Sequence, residues 1–369
     1  MNKGKILVVV GSFKIGGAEK MAIVIGEELA NRGFLVNYAI QKPIFQIPHE
    51  IESERIHILN KKKDSGKYYH HLNNVIQIKR LAKKFKPDVV IGLTYFSSFL
   101  SCFTLCNNII GTFDVNPYAL GKKRHRIADF VCRWPKVKNI VGPSKGTIME
   151  LKEARPRFSE KFITIYNSLD FEKVENLANE DIQESYLIQK PYLSAMGRLS
   201  DQKNFTMLIS SYAKSNINEI YNLAIIGDGP KKEKLEKQIK KLGLESKVFL
   251  IGFKSNPYPY IQQSEFFINT SSFESFCVVI LEALALGKMV VATDCPSGPG
   301  ELVQHGYNGY LTEVNNIKSL VNRLNHLSNN PHIIKEKGLI AKKSVDKFRV
   351  DAIGNKWEEL IIKVINKYN

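Results

Sequence analysis

Glu274 and Glu282 stand eight positions apart in Ser272-Phe273-Glu274-Ser275-Phe276-Cys277-Val278-Val279-Ile280-Leu281-Glu282-Ala283-Leu284-Ala285. Two carboxylates at a fixed spacing can accept hydroxyl hydrogens or move a proton. Glu274 follows the apolar run Phe266-Phe267-Ile268-Asn269, which reads as a short buried strand, and precedes a run of helical period. That places it on a strand-to-helix turn at the carboxyl edge of a parallel sheet, where open α/β sheets bind ligands. Glu282 falls two turns into the helix among Val278, Val279, Ile280, Leu281, Ala283 and Leu284, where a buried carboxylate needs a partner. A helix cap for Glu274 and a solvated position for Glu282 fit the same pattern, so the pair alone leaves both readings open.

Other loops carry residues of the same kind. Gly16-Gly17 ends a first loop just before a helix; glycine permits close backbone approach, and the exposed amides of a helix start favour anions. The GxGxxG spacing of a dinucleotide site is missing there, as is the Lys-Ser/Thr ending of a P-loop. Arg198 and Lys203 lie in Gly197-Arg198-Leu199-Ser200-Asp201-Gln202-Lys203-Asn204, and Ser297-Gly298-Pro299-Gly300-Glu301 precedes another helical start. Gly227-Asp228-Gly229 reads as a strand-to-helix turn. In order and spacing, Gly16-Gly17-Ala18-Glu19, Gly197-Arg198-Leu199 with Lys203-Asn204, Gly227-Asp228-Gly229, the glutamate pair and Gly298-Pro299-Gly300-Glu301 resemble glycosyltransferase family 4 and its Glu-x7-Glu signature.

The resemblance implies a retaining nucleotide-sugar transferase of the GT-B fold: two Rossmann-like α/β domains facing a cleft. Arg198 and Lys203 would then oppose the charge growing on a departing diphosphate, one through a planar fork of donors and the other as a compact charge. The family pattern puts Glu274 on hydroxyls of the donor sugar near the reacting carbon and Glu282 on the ribose hydroxyls. Phe253 and Lys254 would seat the base, and Gly16, Gly17, Phe276, Cys277 and Gly300 would complete the substrate-binding set. Transfer would proceed by front-face attack, with the leaving phosphate taking the acceptor's proton. Many relatives carry a histidine after the strand that here reads Asn108-Ile109-Ile110-Gly111, whereas this chain has Thr112-Phe113-Asp114-Val115-Asn116. Asp114 and Asn116 are the candidates to orient acceptor or sugar there, with a loop-capping Asp114 the plainer alternative. No Asp-x-Asp occurs, so transfer is expected to need no metal and no cofactor beyond the UDP-sugar substrate.

Composition sets the frame. The net charge is 53 − 36 = +17, and residues 1–170 hold 28 Lys+Arg against 14 Asp+Glu, or +14. Such a half attracts anionic surfaces, and without a helix-turn-helix, RNP or zinc-finger pattern an anionic membrane is favoured over nucleic acid. Residues 122–134 put Ile127, Phe130, Val131 and Trp134 on one helical face beside Lys122, Lys123, Arg124 and Arg126. That face suits either an interfacial helix or packing on a sheet. The five cysteines show no CxxC pair and read as reduced thiols. The first residues run straight into a strand, with no signal-peptide core, and the apolar stretch 89–110 is too diluted by polar residues to span a membrane. These features lead to the expectation of a cytoplasmic protein, peripheral on the inner face of the cell membrane.

Strands alternate with helices throughout, the pattern of parallel sheets covered on both faces. The first half reads as strands at 6–10, 36–40, 55–59, 89–91, 108–111, 139–141 and 162–165; the second as 192–196, 223–226, 248–251, 266–269, 289–292 and 310–311. The domains are expected at 1–170 (acceptor side) and 171–350 (nucleotide-sugar side). A polar linker is expected at 172–184, and an amphipathic helix at 351–369 that returns, by resemblance, to the first domain. The partners expected are a UDP-sugar donor carrying a hexose or N-acetylhexosamine and a glycan or polyprenyl/lipid-linked acceptor, with no nucleic acid. An epimerase or hydrolase on the same fold, or a charge-driven nucleic-acid- or lipid-binding protein, are the rival readings.

Overall fold

Short runs of Val, Ile and Leu bounded by turn residues, such as Lys5–Val10 (KILVVV), bury side chains on both faces and form the centres of parallel sheets. The computed structural model describes residues 3–14, 16–60, 67–115, 121–184 and 186–368. The chain divides into two units, Met1–Ser168 with Val350–Asn369, and Leu169–Arg349.

The first unit is built on seven strands, β1 (Lys5–Val10), β2 (Leu35–Ile40), β3 (Ile56–Ile58), β4 (Val89–Gly92), β5 (Ile109–Thr112), β6 (Val137–Gly142) and β7 (Phe162–Thr164), in the order β3-β2-β1-β4-β5-β6-β7. Its pairings are parallel. Alternation sorts the core into two layers: Ile6, Val8 and Val10 pack with Ala22, Ile25 and Leu29 of helix Gly17–Asn31. Leu7 and Val9 share the other layer with Ile78, Leu100, Ala128 and Val131. Helix Val350–Tyr368 lies in this unit and buries Ile353, Trp357, Ile361 and Val364 in the first layer. Val131 is therefore core, fully buried, while Phe130 and Trp134 stay half-buried. The expected apolar face of that helix is divided between the sheet and the surface.

The second unit has six strands, β8 (Tyr192–Met196), β9 (Asn222–Ile226), β10 (Val248–Gly252), β11 (Phe267–Asn269), β12 (Val290–Thr293) and β13 (Gly309–Thr312), ordered β10-β9-β8-β11-β12-β13. All the expected strands form, with ends moved by no more than two residues. In each sheet the order reverses once, between β1 and β4 and between β8 and β11, which is where open sheets leave a crevice at their carboxyl edge. The stretch expected as a linker holds helix Phe171–Ala178. Asp170 caps it, and Phe171, Val174 and Ala178 recur at helical spacing and are buried, so local amphipathicity prevails over the polar composition.

Candidate active site

The loops after β8 and β11 flank the reversal point of the second sheet, and they are fastened to each other. Ser272 donates its amide to Gln202 O (2.8 Å), and Gln202 Nε2 donates to Phe273 O (3.0 Å). Thr270 Oγ1 donates to Lys203 O (2.9 Å). Across this seam Lys203 Nζ meets Glu274 Oε1 at 2.5 Å, and Ser271 Oγ donates to the same oxygen (2.7 Å). The ion pair is largely buried, with the two side chains 14% and 9% exposed. Burial opposes the charge on Lys203, but its neighbours Cys277 and Glu274 more than restore it and raise its pKa. Burial also pushes the Cys277 thiol well above its usual range, which leaves it neutral near pH 7, so Glu274 carries the pairing.

Glu274 does not cap a helix: the helix starts four residues later, at Val278, and Cys277 at its cap position has φ +67°. Asn269 donates to Cys277 Sγ (3.4 Å) and accepts from the Ser271 amide (3.2 Å), fixing the turn between the strand and that cap. Glu282 is 5% exposed on helix Val278–Ala285, and Tyr258 donates its hydroxyl to Glu282 Oε1 (3.0 Å). The partner that a buried carboxylate requires is thus a tyrosine from the segment after β10. Arg198 differs from Lys203: it is exposed, and no ion pair engages it among the described residues.

Neighbouring loops crowd the same edge. Gly227 donates its amide to Gly252 O (2.8 Å), and Leu199 donates to Asp228 O (3.0 Å), so the turns after β8, β9 and β10 adjoin. Gly298 has φ +89°, and a Cβ there would lie 2.7 Å from the Phe276 backbone; only glycine lets loop 297–301, with Gly300, close on the Phe276-Cys277 turn. Phe253 is 52% exposed. Lys254 instead ion-pairs with Glu184, which also accepts from the Tyr260 hydroxyl. The bond to Glu184 raises the Lys254 pKa; the bonds from Lys254 and Tyr260 outweigh burial at Glu184 and lower its pKa. Sequence spacing gave no signal for Tyr258 or Glu184, because each reaches its partner from another element, while Ser271 lies three positions before Glu274 on the same loop.

In the first unit, Gly16 and Gly17 stand at the start of helix Gly17–Asn31, beyond the carboxyl end of β1. Asp114 follows β5, and Asn116 lies outside the described residues. Asp114 Oδ1 is cut off from solvent with no hydrogen-bond partner. Burial first, and the Glu19 carboxylate after it, push the Asp114 carboxyl up to about 6.

Residues 178–344 match the model of glycosyl transferases group 1. Over 59% of its length the chain is 34% identical to the N-acetylgalactosamine-N,N'-diacetylbacillosaminyl-diphospho-undecaprenol 4-alpha-N-acetylgalactosaminyltransferase of Campylobacter jejuni, of which it spans 59%. It is 28% identical to the lipopolysaccharide 1,6-galactosyltransferase of Escherichia coli over 46% of this chain and 47% of that enzyme. Among solved structures, HepE of Anabaena in complex with UDP and glucose is similar over 97% of this chain and 99% of its own, with TM-score 0.79 and 22% identity. The sucrose-phosphate synthase of Thermosynechococcus elongatus is similar over 99% of this chain and 100% of its own, with TM-score 0.81 and 16% identity. These likenesses show the GT-B fold.

Proposed function

We propose, for a glycosyltransferase whose residues 178–344 are a group 1 domain, that it moves a hexose or N-acetylhexosamine from a UDP-sugar to a glycan or lipid-linked acceptor with retention of configuration. The observation that carries the reading is the buried Lys203–Glu274 pair at the reversal point of the second sheet, with exposed Arg198 on the same loop. Lys203 and Arg198 oppose the charge that develops on the leaving diphosphate, without a metal. Glu274 offers oxygens to the sugar hydroxyls while its charge is balanced. Glu282, fixed by Tyr258, grips the ribose, and Phe253 packs on the base. A general-base role for both glutamates is disfavoured: retaining hydrolysis needs two carboxylates about 5 Å apart across one bond, and here each is committed to a different partner.

UDP as the donor nucleotide is supported by HepE, solved with UDP and glucose, and a lipid-linked acceptor by the diphospho-undecaprenol substrate of the Campylobacter relative. An anionic membrane as docking surface is supported by the +14 charge of residues 1–170. It is further supported by a groove of about 370 Å³ on helix Lys122–Arg133, lined by Arg126, Asp129, Phe130, Arg133 and Trp134. That groove belongs to the first unit and is remote in sequence from the Lys203–Glu274 pair.

A thermal-shift screen against UDP, GDP, ADP and their sugars tests the donor. Ligand at 100 times its dissociation constant adds about 2.7 kcal/mol of stability. UDP and a UDP-sugar are expected to shift the melt; a response confined to GDP or ADP would replace the donor, and no response would remove the reading.

A further inference from the structure

The segment that brings Tyr258 to Glu282 cannot hold itself in place. Asn256-Pro257-Tyr258-Pro259-Tyr260 follows β10 and opens a helix of only five residues, Tyr258–Gln262, in which the cap residue Pro257 and Pro259 have no amide hydrogen to donate. A helix of so few residues has no stability of its own, so its side chains must be fixed from outside. Asn256 Nδ2 donates to Leu177 O (2.7 Å), near the end of helix Phe171–Ala178, and Asn256 Oδ1 accepts from the Tyr258 amide (3.2 Å). Beyond that helix, Glu184 takes the Lys254 ammonium on Oε1 and the Tyr260 hydroxyl on Oε2. From the start of β8, Tyr192 donates its hydroxyl to Tyr260 O (2.7 Å), and Lys254 Nζ lies 5.3 Å from the centre of the Tyr260 ring. Tyr258 and Tyr260 thus send their hydroxyls to two different carboxylates, Glu282 and Glu184. All of these residues belong to the second unit.

We infer that Glu184 is a positioning residue for nucleotide binding: by clasping Lys254 and Tyr260 it holds the segment between them in the arrangement that brings Tyr258 to Glu282. The inference rests on the reading above, in which Glu282 grips the ribose, and adds to it a residue that acts on the nucleotide through another. Both Glu184 oxygens are engaged within the chain and its charge is matched by Lys254, so the clasp is complete before any nucleotide arrives. The part expected of Lys254 changes with it: its ammonium serves the clasp rather than the base. Opening of so short a segment is a local event that leaves the sheets folded. Its cost appears in binding, because the apparent dissociation constant rises by the inverse of the fraction of molecules in the competent arrangement. If loss of the clasp leaves about one molecule in ten competent, UDP binds about tenfold more weakly.

Calorimetric titration of the full-length protein with UDP, beside steady-state rates, tests the clasp. Glu184→Ala should raise the UDP dissociation constant about tenfold and the donor KM with it. Its kcat should stay within about twofold of wild type, because a grip on the ribose is the same in ground and transition states. Tyr258→Phe should also weaken UDP. Since both changes act through one contact, the double variant should bind about as weakly as the weaker single variant. A Glu184→Ala or Tyr258→Phe protein that binds UDP as wild type does, a loss confined to kcat, or a double variant whose loss is the product of the two single losses would each overturn the proposal. A wild type that binds neither UDP nor a UDP-sugar would overturn the reading of the donor site and this proposal together, whereas UDP binding shared equally by wild type and Glu184→Ala overturns the proposal alone. Should Glu184→Ala fail to fold, Tyr260→Phe decides: it removes only the hydroxyl that Glu184 accepts and should weaken UDP by about threefold to tenfold, the range for one hydrogen bond. Unaltered binding in that variant overturns the clasp.

Discussion

At the scale of single residues, the two cations of the loop after β8 are not equivalent. Lys203 is buried against Glu274, whereas Arg198 is exposed and unengaged among the described residues. Removing Lys203 leaves a carboxylate in a nearly closed setting, and breaking a buried pair from one side costs about 3–5 kcal/mol. Arg198→Ala is therefore expected to lower turnover by about 10²–10³ with an unchanged melting temperature. Lys203→Ala should lower both turnover and melting temperature, and activity of the wild type should survive excess EDTA. Parallel thermal melts and initial rates separate these outcomes; equal melting losses would mean that Arg198 has a structural partner. The glutamates divide in a similar way. Glu282→Ala should weaken UDP binding by about tenfold to a hundredfold, since it removes hydrogen bonds to a charged group. Glu274→Ala should act mainly on kcat, as expected for contacts that strengthen in the transition state. Calorimetric UDP titrations beside steady-state rates test the split. Glu274, Glu282, Arg198 and Lys203 are singled out by the resemblance to glycosyltransferase family 4, since the spacing of the glutamate pair alone leaves both readings open. The tertiary partner of Glu282 could not be: Tyr258 reaches it from another element, a contact that no local period encodes, whereas Ser271 reaches Glu274 within one loop.

At the scale of elements, the last helix shows what sequence pattern carries and what it omits. Its apolar period identifies Ile353, Trp357, Leu360, Ile361, Val364 and Ile365 as one face; the structure buries the first five and leaves Ile365 partly exposed against the same core. The polar fastening is invisible to that period. Arg32 donates to Glu28 (2.6 Å), Asn355 (2.6 Å) and Glu358 (3.0 Å), and Lys3 also pairs with Glu358. Gly354 sits where this cluster presses on the helix: a Cβ there would lie 2.7 Å from Glu28 Cγ and 2.8 Å from Arg32 Nε. In an open helix interior Gly→Ala gains about 1 kcal/mol. Here the overpacking, of the order of 1–3 kcal/mol, should reverse the sign, so Gly354→Ala is expected to lower the denaturant midpoint. A raised midpoint would show that Glu28 and Arg32 move aside at no cost. The cluster also gives acid sensitivity. Hydrogen bonds from Lys3 and Arg32 hold the Glu358 carboxyl below the usual range. Its stabilisation is therefore complete above the unfolded carboxylate range and is lost as pH falls through the lower folded value. Melts of Glu358→Gln and wild type should differ near pH 7 by up to about 1 kcal/mol, the scale of partly exposed pairs, and converge in acid. The strands were legible for a simpler reason: a segment buried on both faces must be apolar throughout, and turn residues mark its ends. Helix Phe171–Ala178 carries the same kind of signal, with Phe171, Val174 and Ala178 at helical spacing, but it is short and the polar composition around it reads as a linker.

At the scale of the whole molecule, charge is the property the fold does not explain. Parallel sheets and buried helices account for the apolar residues, yet the +14 of residues 1–170 contributes nothing to either core and raises self-repulsion. Helix Lys122–Arg133 gathers part of it in a usable form. Ala128, Val131 and Cys132 anchor the helix in the core, and Asp129 is neutralised by Arg155 at 2.6 Å. Arg126 and Arg133 are left beside Phe130 and Trp134, whose rings stack at 5.2 Å. Basic side chains next to half-buried aromatics suit the headgroup layer of an anionic leaflet, where each cation adds about 1 kcal/mol. Four such residues would supply about 4 kcal/mol, a factor near 10³ in partitioning. Liposome co-sedimentation should therefore show binding that needs anionic lipid and falls with salt. Replacing Lys122, Arg124, Arg126 and Arg133 by Ser should abolish it, whereas Phe130→Ser should only weaken it, because charge supplies most of the attraction. Transfer to a water-soluble acceptor should be unchanged in the four-residue variant, since none of these side chains belongs to the loops around Lys203 and Glu274. Binding that ignores lipid charge, or that survives the four substitutions, would assign the positive half to a soluble polyanionic acceptor.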